Sequence, residues 1–133
     1  MQPRKFKYTK LHKKKFKSLK YKTLLLKFGQ IGLKAVESGF LSVYQLKAIK
    51  FTLSKKLKRQ GKLWFHTFPN IPITAKPVES RMGKGKGSVK HWAVFLTAGS
   101  FILEIFSKLP VIKLASFLKE AQIRLPIKTK IFY

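Results

Sequence analysis

The sequence predicts an α+β fold, with two amphipathic helices packed on one face of a mainly antiparallel sheet. Three observations carry this expectation. Apolar residues recur at helical spacing in two stretches, 43–60 and 110–125. Short runs elsewhere alternate with a period of two, and glycine or proline punctuates most of the junctions. With 133 residues, 45% hydrophobic and 14% aromatic, the chain is long enough for one modest core. The organisation expected is a basic arm over 1–22 and a single domain over 23–133, with a protruding Gly/Lys finger at 80–88.

The arm comes first. Ten of its 22 residues are Lys or Arg and none is acidic: Arg4, Lys5, Lys7, Lys10, Lys13, Lys14, Lys15, Lys17, Lys20 and Lys22. Phe6, Tyr8, His12, Phe16 and Tyr21 are interleaved with them. Lysines meet phosphates as point charges and aromatic rings stack on exposed bases, which favours an RNA-binding arm. A solvated tail and a mitochondrial import signal are the other readings, but such signals favour Arg and Ser, whereas here Lys dominates.

Leu24–Phe28, ended by Gly29, reads as a buried strand, and Ile31, Leu33 and Ala35 alternate with Gly32 and Lys34 as a second. A turn at Gly39 leads to the first helix. Ser42 is its expected N-cap, with Gln45 completing a capping box. Leu46, Ile49, Leu53 and Leu57 form its apolar stripe, and Gly61 is expected just past its end. Lys47, Lys50 and Lys58 flank that stripe, with Lys55, Lys56 and Arg59 crowding the last turns. No acid stands among them to form i,i+4 pairs, so RNA contact is expected rather than a merely solvated face.

Leu63–Phe68 has bulk on both faces, so it must be covered on both sides or have one face docked on a partner. Pro69, Pro72 and Pro77 predict a stiff, extended connector over 69–80 rather than a ladder. Val89–Thr97 and Phe101–Phe106 read as a hairpin about Ala98-Gly99, with Trp92 on a packed face. Pro110 opens the second helix, whose apolar positions include Val111, Leu114, Leu118 and Leu125; Pro126 ends it. Ile127, Thr129 and Ile131 alternate with Lys128 and Lys130 as a last strand.

The finger, Arg81-Met82-Gly83-Lys84-Gly85-Lys86-Gly87, alternates glycine with lysine. Glycine lets a backbone enter left-handed conformations and approach another surface closely, and the lysines project as cationic prongs. A P-loop needs four residues between its glycines, and a dinucleotide-binding turn needs Gly-x-Gly-x-x-Gly before a helix. Gly-x-Gly-x-Gly before a strand pattern satisfies neither.

Thirty Lys and Arg oppose four acids, Glu37, Glu79, Glu104 and Glu120, for a net charge of +26. Self-repulsion on that scale calls for a polyanionic partner: nucleic acid first, an anionic membrane second. The longest uncharged apolar stretch, Trp92–Leu103, is a dozen residues and too short to span a bilayer. Cysteine is absent, which excludes disulfides and thiolate metal sites. The glutamates are at least 16 positions apart, and His12, His66 and His91 lack metal-ligand spacing and any Asp to orient them. Each histidine is read as an RNA contact or a strand residue. No enzyme, cofactor, metal site, membrane association or homo-oligomer is expected.

Several motifs together resemble a known family. They are Phe28-Gly29-x-x-Gly32-Leu33-Lys34-Ala35, Lys58-Arg59-x-Gly61-Lys62-x-Trp64, and Phe68-Pro69-x-x-Pro72-x-Thr74-x-Lys76-Pro77-x-Glu79 running on into the finger. Leu125-Pro126-Ile127-Lys128-Thr129, Pro3-Arg4-Lys5 and His12-Lys13 complete the set, which covers nearly the whole chain. The family is the large-subunit ribosomal protein L-sixteen, with L-ten-e as its archaeal and cytosolic relative. The resemblance implies a structural protein that binds large-subunit rRNA near the peptidyl-transferase centre, among neighbouring ribosomal proteins. It also implies that the finger reaches toward A-site tRNA, with Arg81, Met82, Lys84 and Lys86 nearest the functional centre. Lys55, Lys58, Arg59, Lys62, Lys76 and the arm then become rRNA contacts. Lys47-Ala48-Ile49-Lys50-Phe51, Asn70 and Lys90-His91 depart from the family pattern and, with the Lys-, Ile- and Phe-rich composition, resemble copies from AT-rich organelle genomes. A start that echoes the family's own argues against a cleavable presequence. Synthesis inside the mitochondrion is therefore the expectation, with the plastid and a bacterial cytoplasm as alternatives. The competing function is a free-standing RNA-annealing or membrane-active cationic protein.

Overall fold

Alternation and capping place most of the elements where local chemistry predicts them. A computed structural model of the chain describes residues 3, 6–12 and 25–133. In order, the elements are β1 (Ile31–Ala35), β2 (Gly39–Ser42), α1 (Val43–Leu57), β3 (Gly61–Phe65), β4 (Ile71–Ala75), β5 (Ser88–Leu96), β6 (Phe101–Ser107), α2 (Val111–Ile123) and β7 (Thr129–Phe132). The architecture is α+β, and the strand pairs among the described residues are antiparallel. The strands divide between two sheets, a four-stranded one ordered β3-β6-β1-β7 and a three-stranded one ordered β2-β5-β4.

Helix α1 starts as its sequence predicts. The Gln45 amide donates to Ser42 Oγ at 3.2 Å, and the Ser42 amide donates to Gln45 Oε1 at 2.9 Å, so two end amides are satisfied reciprocally. Leu46, Ile49, Leu53 and Leu57 are buried along one face. The end of the helix differs from expectation. Lys58 (φ 43°) and Arg59 (φ 65°) take the left-handed positions, while Gly61 begins β3. Gly61 answers to space instead: a Cβ there would lie 2.6 Å from the Phe106 carbonyl oxygen on the neighbouring strand.

The pleat of the four-stranded sheet sorts its side chains between two faces. Ile31 opposes Ile105 and Leu33 opposes Leu103, with Leu63 and Phe65 in the same register. These pack into one apolar core with Leu46, Ile49 and Leu53 of α1 and Leu114 and Leu118 of α2. By the period of two, Gly32, Trp64 and Glu104 face the other way. Residues 26–29 lie over that second face: a Cβ on Gly32 would meet Leu26, and one on Gly29 would meet Glu104.

Five local readings are corrected. Residues 25–28 are not a strand; Leu25 and Phe28 are exposed, and the segment is held by a side chain rather than a ladder. Residues 39–42 form a short strand, β2, instead of only a turn. Pro72 sits inside β4, not in a connector, because β4 is an edge strand that tolerates a missing donor. β5 and β6 are not a hairpin: they belong to different sheets, and their connecting turn bonds to β1 through Gly99 N to Ala35 O at 2.8 Å and Ala35 N to Ser100 O at 2.9 Å. Pro110 is the N-cap of α2 rather than its first helical residue.

Candidate nucleic-acid interface

The finger is built on the three-stranded sheet. β4 and β5 pair up to Ala75 and Ser88, and the intervening chain leaves the body there. Arg81 to Lys86 are exposed, and Met82 is fully so at 100%. Gly83 (φ 91°), Lys84 (φ 54°) and Gly85 (φ 78°) stand in the left-handed region one after another. A Cβ on Gly83 or Gly85 would meet nothing within 4 Å, so the dihedral and not space calls for glycine. Gly87 is the reverse. A Cβ there would lie 2.4 Å from the Ala75 carbonyl oxygen, so the root of the finger is closed by backbone against backbone.

Two predicted contact residues brace this loop. Lys76 Nζ donates to the Gly83 carbonyl and ties the approach to the tip. Lys86 Nζ donates to the Leu11 carbonyl and ties the finger to the arm. An ammonium has three donors, so neither bond uses up the cation. The arm meets the body again where Phe6 lies edge-on to Trp92, with centroids 5.2 Å apart, and this covers Trp92 as its packed face requires. Lys7, Lys10 and His12 are exposed beside these contacts. Arg4, Lys5, Lys13, Lys14, Lys15 and Lys17 lie outside the described residues.

A second basic group lies where α1 hands over to the four-stranded sheet. Lys55, Lys58, Arg59 and Lys62 are all exposed. Left-handed backbone at a residue with a Cβ costs about 1–2 kcal/mol, so Lys58 and Arg59 hold cations where glycine would be less strained. Elsewhere charges are matched: Lys56 pairs with Glu120, and Lys128 Nζ lies 3.1 Å from Glu37 Oε1. Four acids cannot neutralise 30 cations, so most of the surface charge has no acidic partner within the chain.

Sequence reasoning overlooked Glu104. It is fully buried, and its carboxylate accepts from the amides of Lys27 (3.1 Å), Phe28 (2.8 Å) and Gly29 (2.9 Å). His66 Nε2 is 2.8 Å from Glu104 Oε1, so His66 does have an orienting carboxylate, although no Asp exists to supply it. Burial pushes the carboxyl's pKa up, but the amides of Phe28, Gly29 and Lys27 and the His66 charge together hold it below its ordinary value. The available signal was a lone acid inside the apolar run Ile102–Phe106, a position that an unpaired carboxylate could not occupy. The Phe28 ring in turn stacks on Trp64 at 5.9 Å and on His66 at 6.2 Å. His91 is a strand residue of β5 beside Tyr44, with ring centroids 6.0 Å apart.

Among the described residues no three His, Cys, Asp or Glu side chains gather at metal-binding distance, and no helix is long and apolar enough to cross a membrane. The arrangement offers exposed cations, exposed rings and a braced loop, which is the chemistry of polyanion binding.

Comparison with known proteins agrees along the whole length. The family model described as "Ribosomal protein L16p/L10e" matches residues 3–132. Large ribosomal subunit protein uL16 of Buchnera aphidicola subsp. Cinara cedri (strain Cc) is 42% identical over 129 residues, covering 97% of this chain and 93% of its own. The protein of the same name from Erythrobacter litoralis (strain HTCC2594) is 39% identical over 131 residues, covering 98% and 90%. Large ribosomal subunit protein uL16c of Euglena longa is 39% identical over 133 residues, covering 100% and 98%.

Proposed function

The chain belongs to the ribosomal protein L16p/L10e family, and from that premise we propose how its two basic surfaces divide the work. It is a structural constituent of the large ribosomal subunit and not an enzyme. The arm over 1–22, together with Lys55, Lys58, Arg59, Lys62 and Lys76 of the single domain over 23–133, grips large-subunit rRNA near the peptidyl-transferase centre. The finger, Arg81 to Gly87, extends past that contact toward A-site tRNA. The observation that carries this division is the run of left-handed residues at Gly83, Lys84 and Gly85. It leaves Lys84 exposed on a loop whose root Gly87 closes against β4.

The compartment we propose is the mitochondrion. The support is compositional, a Lys-, Ile- and Phe-rich chain with four acids, since bacterial relatives are as similar as the one from Euglena longa.

Sedimentation tests the reading. The protein is expected to co-migrate with large subunits and to stay bound through a moderate salt wash. Recovery as free protein or in a membrane fraction overturns it.

A further inference from the structure

We infer that Phe28, with Trp64 beneath it, is a stacking platform for one unpaired RNA base, and that Arg59, Lys62 and Lys108 hold the phosphates on either side of that base. The proposal rests on the rRNA-binding reading above and adds a site to it, separate from the finger.

The sheet face that carries the platform is the one turned away from the helices. Trp64 opposes Glu104 across β3 and β6, and His66 follows on the same side of the pleat. Strand β3 has bulk on both faces, and only the face of Leu63 and Phe65 is covered by the helical core. On the other face Phe28 lies over β3, stacked at 30° to Trp64 and at 7° to His66. Phe28 as a residue remains 60% exposed. Phe106, 45% exposed, lines the same depression, so an apolar floor is left facing solvent.

An exposed ring is mobile unless something holds its backbone. Here Glu104 does, by accepting from the amides of Lys27, Phe28 and Gly29 from inside the sheet. A buried carboxylate thus presents an aromatic face to solvent at a set orientation, and preorganisation of this kind lowers the entropic cost of binding. The rim of the depression decides the class of partner. Arg59, Lys62 and Lys108 line it together with Phe28, Trp64 and Phe106, and no acid does. A protein partner would have to bring acidic side chains to three cations and an apolar side chain to the rings. A nucleotide brings both, a π-face and a phosphate on each side, and bases stack on aromatic side chains without regard to sequence. Arg59 reaches the rim from a left-handed residue, a strained position for anything but glycine.

The experiment uses the full chain with Trp92→Phe, so that Trp64 is the sole indole. It is titrated with a short oligouridylate at several salt concentrations. Trp64 emission reports only on the platform, which matters because so basic a protein binds the oligonucleotide elsewhere too. Expected are quenching on saturation, about a tenfold weaker quenching isotherm for Phe28→Leu, and parental behaviour for Phe28→Tyr. Arg59→Gln should lower the salt slope of that isotherm by about one. If the oligonucleotide binds with no quenching, or equally well to Phe28→Leu, the platform is refuted and the RNA-binding reading stands. If the parent protein binds no RNA at all, both fall.

Discussion

His66 Nε2 lies 2.8 Å from Glu104 Oε1, joining the residue just past β3 to the middle of β6 through a carboxylate that solvent does not reach. The same carboxylate holds the amides of residues 27–29, so one buried acid ties the segment leading in from the arm to both strands.

Removing that acid should therefore be costly. Glu104→Ala leaves three amides and His66 without their acceptor, and losing hydrogen bonds to a charged group of this kind costs about 1.5–3 kcal/mol. Glu104→Gln keeps one acceptor oxygen and should cost less. Urea unfolding measures both, and amide hydrogen exchange at Lys27, Phe28 and Gly29 should accelerate more than exchange in the α1 core. Unchanged exchange at those three amides would remove the anchor from the account.

Acid should act through the same group. The folded pKa of Glu104 is depressed, so its contribution to stability is complete above the unfolded glutamate value of about 4.3. The contribution is lost as pH falls from there through the lower folded value. Over this range the stability difference between the parent and Glu104→Gln should shrink as pH falls. Because the variant keeps nearly every other charge, the comparison cancels the general repulsion of a +26 chain.

The finger's glycines should separate into two kinds. Gly87→Ala pushes a methyl group against the Ala75 backbone and is expected to destabilise by about 1–3 kcal/mol. Gly83→Ala and Gly85→Ala meet open space, and the exposed loop can shed left-handed strain by changing conformation without disturbing the core, so each should cost less than about 0.5 kcal/mol. Thermal melts should thus move for Gly87→Ala and hardly at all for the other two. Equal shifts for all three would mean that the tip is packed.

Replacing Lys84 and Lys86 together by Ala should spare incorporation into the large subunit and weaken A-site tRNA binding. Filter binding of aminoacyl-tRNA to ribosomes carrying the variant measures it. Normal tRNA affinity would leave the finger with a purely structural role.

At the end of α1, Lys58→Gly relieves a left-handed residue. It should raise the stability of the free protein by about 0.5–1 kcal/mol while weakening its hold on large-subunit rRNA. A variant that gains stability and retains its rRNA affinity in salt titrations would show that Lys58 is only a helix terminator.

Much of the fold was legible because it depends on neighbours in the chain. The Ser42–Gln45 capping box, the Leu46–Ile49–Leu53–Leu57 stripe and the alternation through β1 and β7 are each local, and each appears where the spacing puts it. The finger was legible for the same reason, since glycines at alternate positions set the backbone freedom directly. What the sequence could not determine was which strand each ladder joins. The Ala98-Gly99 turn looks alike whether the strands beside it pair with each other or, as they do, separate into two sheets. Pro72 forbids a central strand but not an edge, and only the assembled sheet says where the edge lies. Residues 25–28 have the composition of a strand, yet their amides are satisfied by a carboxylate more than 70 positions away. Backbone groups accept any partner of the right geometry, so local pattern sets period and direction of side chains while packing chooses the partner. Glu104 is the sharpest instance: as sequence it is one of four acids in a basic chain, and only the closed sheet turns it into the anchor of residues 27–29.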